Sequence, residues 1–365
     1  MPHCSKNMNF KSLFSTVLLI FVPISVMADA LHWGDLWVFI TSALAIVPLA
    51  IWLSTATEEL AVATGPVVGG LMNAIFGNAT ELIIALAALK RGLVDIVKAS
   101  ITGSILGDLL LVLGLAMFLG GLKYKEQEFQ KIVVRVSGST MTLAVTAIAL
   151  PTIVINTSNV VDPSAIMNMS IIVAGVLLLF YGLTLLFSLR THSYLYEVGM
   201  TTLETDAEPL EKPRIWPWIG VLFLATTAVA LESELFVGVV EEVTGGLGLT
   251  PLFTGVVLLP LLGDVSGYVT AVRVALKNNM DLTVSVAMGS SLLVALFVAP
   301  VVVLVGQWIG QPMDLNFNPF EVIAIAIAVV VVNLISLGGR SNWLDGALLL
   351  ATYLVLGVAF YYHPA

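Results

Sequence analysis

The chain has 365 residues, 58% of them hydrophobic and 11% charged, with a mean hydropathy of +1.02. Soluble domains carry about 25% charged residues, so this composition describes a polytopic membrane protein with little soluble mass. The net charge of −9 lacks the basic face that nucleic acid requires, and the one cysteine, Cys4, excludes a disulfide framework or a cysteine-rich metal site.

A helical span needs about 20 mostly apolar residues. Read that way, the sequence predicts an all-α integral membrane protein of about eleven spans: roughly 12–30, 34–54, 65–90, 96–120, 136–155, 166–189, 216–240, 250–276, 283–308, 319–338 and 343–362. The first follows Lys6 and Lys11 and ends near Ala28-Asp29-Ala30, a pattern that also fits a cleaved signal peptide. Glu58 and Glu59 close the second span, either as a solvated helix end or, for Glu58, as a cation-attracting cytoplasmic mouth.

The third span holds Gly77-Asn78-Ala79-Thr80-Glu81. A carboxylate at bilayer depth costs about 2.5–3.5 kcal/mol, which makes Glu81 a functional-site candidate. Asn78, three residues earlier, shares its helical face. Asp108 in the fourth span and Asp264 in the eighth are also mid-span. Any one of the three has a second, weaker reading as a hydrogen-bonded contact between helices. Together their insertion cost is roughly 8–10 kcal/mol, comparable to the stability of a whole domain, and a cation site explains it better.

Glu232 and Glu234 lie within the seventh span, whereas Glu241 and Glu242 read as an outer solvated face. The longest polar loop carries Glu204, Asp206, Glu208 and Glu211, read as a linker or, more sharply, a cation-sensing patch. The four histidines (His3, His32, His192, His363) fall at ends or junctions of apolar stretches, which disfavours a buried imidazole site and favours oxygen-seeking cations.

With the N-terminus in the cytoplasm, 12 of the 15 Lys and Arg residues fall in inside loops, and only Lys90, Arg91 and Lys98 fall outside. The positive-inside rule therefore fixes this orientation. The short tails point to a bacterial-type cytoplasmic (inner) membrane.

Gly77-Asn78-Ala79-Thr80 lines up with Gly263-Asp264-Val265-Ser266 at an offset of 186 residues, which also pairs Asp95 with Asp281 and Gly103-Ser104 with Gly289-Ser290. The matched spans are five apart, so one copy is inverted. Inverted repeats with polar, Gly/Pro-interrupted midplane helices mark secondary transporters. Pro260 supplies such an interruption.

Desolvation disfavours an ionised carboxyl, so an empty site holds protons and an arriving cation displaces them. If the site faces one side at a time, that competition is antiport. Ser104 and Ser290 read as helix-packing serines or as neutral oxygen ligands.

Residues 69–84 (Gly-Gly-Leu-Met-Asn-Ala-Ile-Phe-Gly-Asn-Ala-Thr-Glu-Leu-Ile-Ile) and 103–114 (Gly-Ser-Ile-Leu-Gly-Asp-Leu-Leu-Leu-Val-Leu-Gly) resemble the first signature region of the cation/proton exchanger (CAX) family. These are Ca²⁺/H⁺ antiporters of the cation/Ca²⁺ exchanger superfamily. Ala56-Thr57-Glu58, Thr191-His192-Ser193 and Ser341-Asn342-Trp343-Leu344-Asp345-Gly346 extend the similarity along nearly the whole chain.

The resemblance implies eleven spans in two inverted five-helix repeats after an extra N-terminal helix. The division is residues 1–33 (tail and first span), 34–189 (first repeat), 190–215 (acidic cytoplasmic loop) and 216–365 (second repeat). It also implies a central site in which Glu81 binds cation and proton alternately and Asn78 is a neighbouring ligand.

The second repeat departs from the family pattern. Where Gly-Asn-Ala-Ala-Glu-His is expected, this chain has Gly263-Asp264-Val265-Ser266-Gly267-Tyr268, Leu293 replaces a glutamine, and Asp108 replaces an asparagine in the first repeat. One glutamate is lost and two aspartates are gained. Asp264, one turn from the lost position, is the candidate replacement, so Glu81 and Asp264 are the expected metal ligands.

The leading functional reading is Ca²⁺/H⁺ exchange. The alternatives are the same fold carrying Na⁺, K⁺, Mg²⁺ or Mn²⁺, and a degenerate member that regulates or leaks. A faint likeness to intramembrane aspartyl proteases rests only on Gly107-Asp108 and Gly263-Asp264. No cofactor is expected beyond Ca²⁺ and H⁺ as transported ions, and no partner beyond those ions and the lipid bilayer.

Overall fold

The computed structural model describes residues 17–158, 162–194 and 213–363. His3, Cys4, Lys6, Lys11 and the acidic run from Glu204 to Glu211 lie outside them. In chain order the helices are α1 (Phe21–Ala30), α2 (Asp35–Thr64), α3 (Pro66–Phe76), α4 (Ala79–Lys90), α5 (Val94–Tyr124), α6 (Lys131–Ser158) and α7 (Pro163–Thr191). They continue as α8 (Ile215–Gly246), α9 (Pro251–Gly263), α10 (Val265–Ala275), α11 (Met280–Ile309), α12 (Pro319–Ser336) and α13 (Trp343–Tyr362).

Among the described residues nine helices are long and apolar enough to cross a bilayer, or ten with α9 and α10 as one bent span. The expected eleven are not reached. Of the predicted first span only the ten-residue α1 falls in the described region, and it is too short to cross alone. Many apolar side chains face outward, Phe223, Leu224 and Leu231 on α8 among them. Helices apolar around their circumference suit lipid contact.

The core is built on α5 and α11, whose most apolar stretches are 72% and 67% buried, against 17% for α7. Local sequence sets the helix boundaries. Asp162 caps α7 ahead of Pro163 through the Ser164 N–H, and Asn318 and Asn342 open α12 and α13 with reciprocal capping boxes.

The 186-residue offset reappears as geometry. The starts of α4 and α10 (79 and 265) and of α5 and α11 (94 and 280) are each 186 apart. The breaks before α4 and α10 have nearly the same backbone, Asn78 at φ −119°, ψ 36° and Asp264 at φ −116°, ψ 38°. At the second break the two helix halves differ by 65°. Pro260 lies in α9, just after a π-turn at Thr254–Leu258, so the chain bends at Asp264 and not at the proline. Further π-turns occur in α5 (Gly107–Val112) and α11 (Val294–Val298).

The loops sort into two groups at opposite ends of the bundle. At one end Lys123 Nζ donates to the Leu276 carbonyl at 2.8 Å, and strand β1 (Glu126–Glu128) pairs antiparallel with β2 (Arg340–Asn342). Sequence reading missed these three-residue strands, which are too short to show alternation. At the other end Lys90 pairs with Glu234 at 2.7 Å and Lys98 with Asp314 at 2.5 Å. These ends are called the Lys123 face and the Lys98 face below.

In the half toward the Lys98 face, α5 crosses α9 at Gly103, where a Cβ would overlap the Val256 backbone and lie 2.7 Å from Pro260 Cγ. The counterpart, Gly289 in α11, has open space where a side chain would stand. Gly103→Val is therefore expected to cost about 1–3 kcal/mol by overpacking, read as a lower unfolding midpoint in detergent. Gly289→Ala is expected to leave that midpoint unchanged.

Candidate cation-binding site

The two helix breaks meet in the middle of the bundle. Glu81, in the first turn of α4, is 7% exposed and lies against Gly263, where a Cβ would stand 2.8 Å from Glu81 Cγ. Only a glycine there lets the Glu81 side chain approach the second break. Glu81 and Asp264 interact electrostatically, and Asp108 interacts with both. The three mid-span acids thus come together.

Asn78 Nδ2 donates to Ser290 Oγ at 2.9 Å, joining the first break to α11. Asp108 is 2% exposed, sits in the π-turn of α5 and accepts from Ser291 Oγ at 3.4 Å, with Ser290 beside the same carboxylate. π-turns inside α-helices are frequent at functional sites. Ser104 is buried in α5. Sequence reading passed over Ser291; the Ser290-Ser291 doublet was its visible signal.

Asp264 is half-buried, and its Oδ1 accepts the Gly267 N–H at 3.0 Å, capping α10. A Cβ at Gly267 would overlap both carboxylate oxygens of Asp264. The aspartate gained at 264 and the side chain lost at 267 are therefore one coupled change, because the first occupies the room the second leaves. Tyr268, noted in the sequence only as a replaced histidine, donates its hydroxyl to the Pro260 carbonyl at 3.1 Å across the bend. That hydroxyl stands 3.1 Å from where a Gly107 Cβ would be, next to Asp108.

Among the described residues no three acidic, histidine or cysteine side chains form a closed ligand shell. An ion here would meet carboxylates together with neutral oxygens and water. Toward the Lys98 face the site is sealed by the crossing at Gly103, with Thr102 and Ile105 buried. Toward the Lys123 face Asn73, Gly77 and Gly289 are exposed, in contrast to the closed crossing at Gly103.

The model of the family described as sodium/calcium exchanger protein matches residues 34–190 and 217–362. The chain belongs to that family. It is 56% identical over 357 residues to a Ca²⁺/H⁺ antiporter of Aphanothece halophytica, covering 95% of this chain and 96% of the relative. It is 40% identical over 346 residues to the Ca²⁺/H⁺ antiporter ChaA of Bacillus subtilis, covering 93% and 96%. The structure of native YfkE superposes with a TM-score of 0.82 at 35% identity, covering 96% of this chain and all of that one.

The remaining candidate acids stand apart from the centre. Glu58 is exposed in the last two turns of α2, and its recorded contact is the Ser54 hydroxyl at 3.2 Å. Glu234 forms surface ion pairs with Lys90 and Arg91, and Glu241 and Glu242 are exposed. Glu232 is different. It is 1% exposed and accepts the Ser25 hydroxyl of α1 at 2.8 Å, while its Oε2 has no partner. Removing one partner of a buried polar pair costs about 1–3 kcal/mol. Ser25→Ala is expected to lower the unfolding midpoint accordingly, and adding Glu232→Leu to restore part of the loss.

Proposed function

We propose that this chain is a secondary active transporter, not an enzyme, that exchanges Ca²⁺ for protons across a membrane by alternating access. The observation that carries this reading is the meeting of Glu81 and Asp264 at two helix breaks of matching backbone geometry. The relatives at 56% and 40% identity are Ca²⁺/H⁺ antiporters, which supports Ca²⁺ as the ion and H⁺ as its counter-ion.

The chemistry follows from the medium. A carboxyl held away from water favours its neutral, protonated form, and a divalent cation of matching charge restores the ionised form by direct coordination. Protons and Ca²⁺ therefore exclude one another at Glu81 and Asp264. Asn78, Asp108 and Ser290 lie about these two acids as neutral or acidic oxygen donors, and Ser104, one turn before Asp108 on α5, is a further candidate donor. The familiar glutamate of the second repeat is absent at Gly267, and Asp264 supplies its charge from one turn away.

Residues 34–189 and 216–365 act as two inverted five-helix repeats, a division supported by the common 186-residue offset of their helix starts. The loop assignment from the sequence groups 12 of the 15 basic residues on one side, Lys123 among them, which supports a cytoplasmic Lys123 face. The N-terminus then lies in the cytoplasm, and a bacterial-type cytoplasmic membrane is the setting. The exposure of Asn73, Gly77 and Gly289 on the Lys123 side, against the closed crossing at Gly103, supports an inward-facing arrangement.

Everted vesicles with an imposed proton gradient test the reading. Uptake of ⁴⁵Ca²⁺ that collapses with a protonophore is expected, and Glu81→Gln and Asp264→Asn are each expected to abolish it while expression persists. Gly267→Glu alone is expected to abolish uptake by displacing the Asp264 carboxylate. Asp264→Asn combined with Gly267→Glu is expected to restore it. Full transport by Asp264→Asn would show that Asp264 does not carry the site charge. Competition by Na⁺, K⁺, Mg²⁺ and Mn²⁺ in the same assay tests the choice of ion.

A further inference from the structure

At each helix break a tyrosine hydroxyl holds a backbone carbonyl. Tyr181, on α7, donates to the Ala74 carbonyl at 3.0 Å. Tyr268, on α10, donates to the Pro260 carbonyl at 3.1 Å. Ala74 and Pro260 are counterparts at the 186-residue offset, each four residues before its break at Asn78 or Asp264. The tyrosines are not counterparts, because the position matching Tyr268 is Leu82. The same contact is thus built twice from different elements, which repetition of sequence alone does not produce.

These carbonyls are of a particular kind. The last four carbonyls of a helix have no partner within it, and they carry the negative end of its dipole. Ala74 lies in the last four residues of α3, and Pro260 in the last four of α9. Both ends lead into the cluster of Glu81, Asp108 and Asp264, where a hydroxyl donor on each carbonyl offsets the crowding of negative charge. At the second break the phenol is the shorter of two links across the bend, since the Asp264 N–H reaches the same Pro260 carbonyl at 3.4 Å.

Each phenol also leans on a π-turn of the other half. The Tyr181 ring lies 5.4 Å from that of Phe297, within the Val294–Val298 π-turn of α11. The Tyr268 hydroxyl stands 3.1 Å from where a Gly107 Cβ would be, at the start of the Gly107–Val112 π-turn of α5. Asp108 is the next residue of that turn. Each tyrosine therefore ties a break in its own half to a core helix of the other.

We propose that Tyr181 and Tyr268 are positioning residues for cation binding, two phenolic clasps that fix the half-helices at the breaks and with them the separation of Glu81 and Asp264. Neither hydroxyl touches the ion. Each holds a carbonyl that would otherwise be free to turn, so the ion meets carboxylates at a set spacing. In its effect on the ion the proposal rests on the exchange reading above; in the geometry of the breaks it does not.

Two measurements test it, both with phenylalanine variants that remove the hydroxyl and keep the ring. In everted vesicles, Tyr181→Phe and Tyr268→Phe are each expected to raise the Ca²⁺ KM about fivefold, the equivalent of one neutral hydrogen bond, with the maximal rate per folded transporter retained. Ser170 accepts the Leu315 N–H at 2.9 Å in the loop after α11. Ser170→Ala removes that comparable bond and is expected to lower the unfolding midpoint while leaving KM unchanged. Unchanged KM in both phenylalanine variants overturns the proposal, and so does an equal rise in Ser170→Ala.

The second measurement needs no transport. Nitroxide labels are attached to the purified full chain through Pro251→Cys and Arg273→Cys, at the two ends of the bent span, with Cys4→Ser removing the native thiol. Pulsed electron resonance is expected to give one narrow distance peak, which Tyr268→Phe broadens and Tyr181→Phe leaves alone. A peak unaltered by Tyr268→Phe overturns the clasp whether or not the chain exchanges ions. Absence of uptake in the unsubstituted chain overturns the exchange reading and leaves the clasp to be decided by the labels.

Discussion

Everything in this molecule turns on holding acidic groups where water is scarce. Glu81, Asp108 and Asp264 oppose one another across helices that would otherwise be uniformly apolar. Such a cluster persists only if backbone and side chains leave space for it and supply donors. The helix breaks do both: they free backbone N–H groups, one of which Asp264 uses through Gly267, and they set a glycine opposite Glu81. Serine hydroxyls from α11 complete the surroundings. The insertion cost of the acids, several kcal/mol in lipid, is offset by mutual solvation within the protein.

The two halves share a plan but not a packing. Gly103 is pressed onto the Val256 backbone, while its counterpart Gly289 stands open. Two-fold symmetric topology with asymmetric closure is what a carrier needs in order to present one site to one side at a time. The same asymmetry separates Asp281, which fastens the start of α6 by accepting the Gln130 N–H, from its counterpart Asp95, which is exposed. Repeats preserve the positions of polar residues and let their duties diverge.

Much of this was legible in the sequence. Apolar runs located the spans, because bilayer thickness fixes their length, and the acids within them stood out against that background. The 186-residue offset paired the two segments in which the helices break, although an interruption was expected only in the second, at Pro260. What remained hidden depended on contacts between distant segments. Ser291 looked like any packing serine, and only the fold sets its hydroxyl against the Asp108 carboxylate. The role of Pro260 was misplaced by four residues, because the π-turn beside it absorbs the missing hydrogen bond and the bend falls at Asp264. Glu232 and Glu234 were indistinguishable by hydropathy, yet one is sealed beneath α1 and the other pairs with surface lysine and arginine.

The cap on α10 has a consequence for coordination chemistry. On the proposed reading, Asp264 Oδ1 already accepts a backbone amide, so the geometry favours attachment of a visiting metal through Oδ2 over symmetric chelation. Monodentate attachment lowers the ligand count that the protein can offer, while Ca²⁺ prefers six to eight oxygens. If Asp264 holds the metal in this way, aqua ligands carried in with it would meet the shortfall, and the cargo would pass the narrowest point still partly wet. Shedding fewer waters lowers the barrier to release and favours turnover over tight retention.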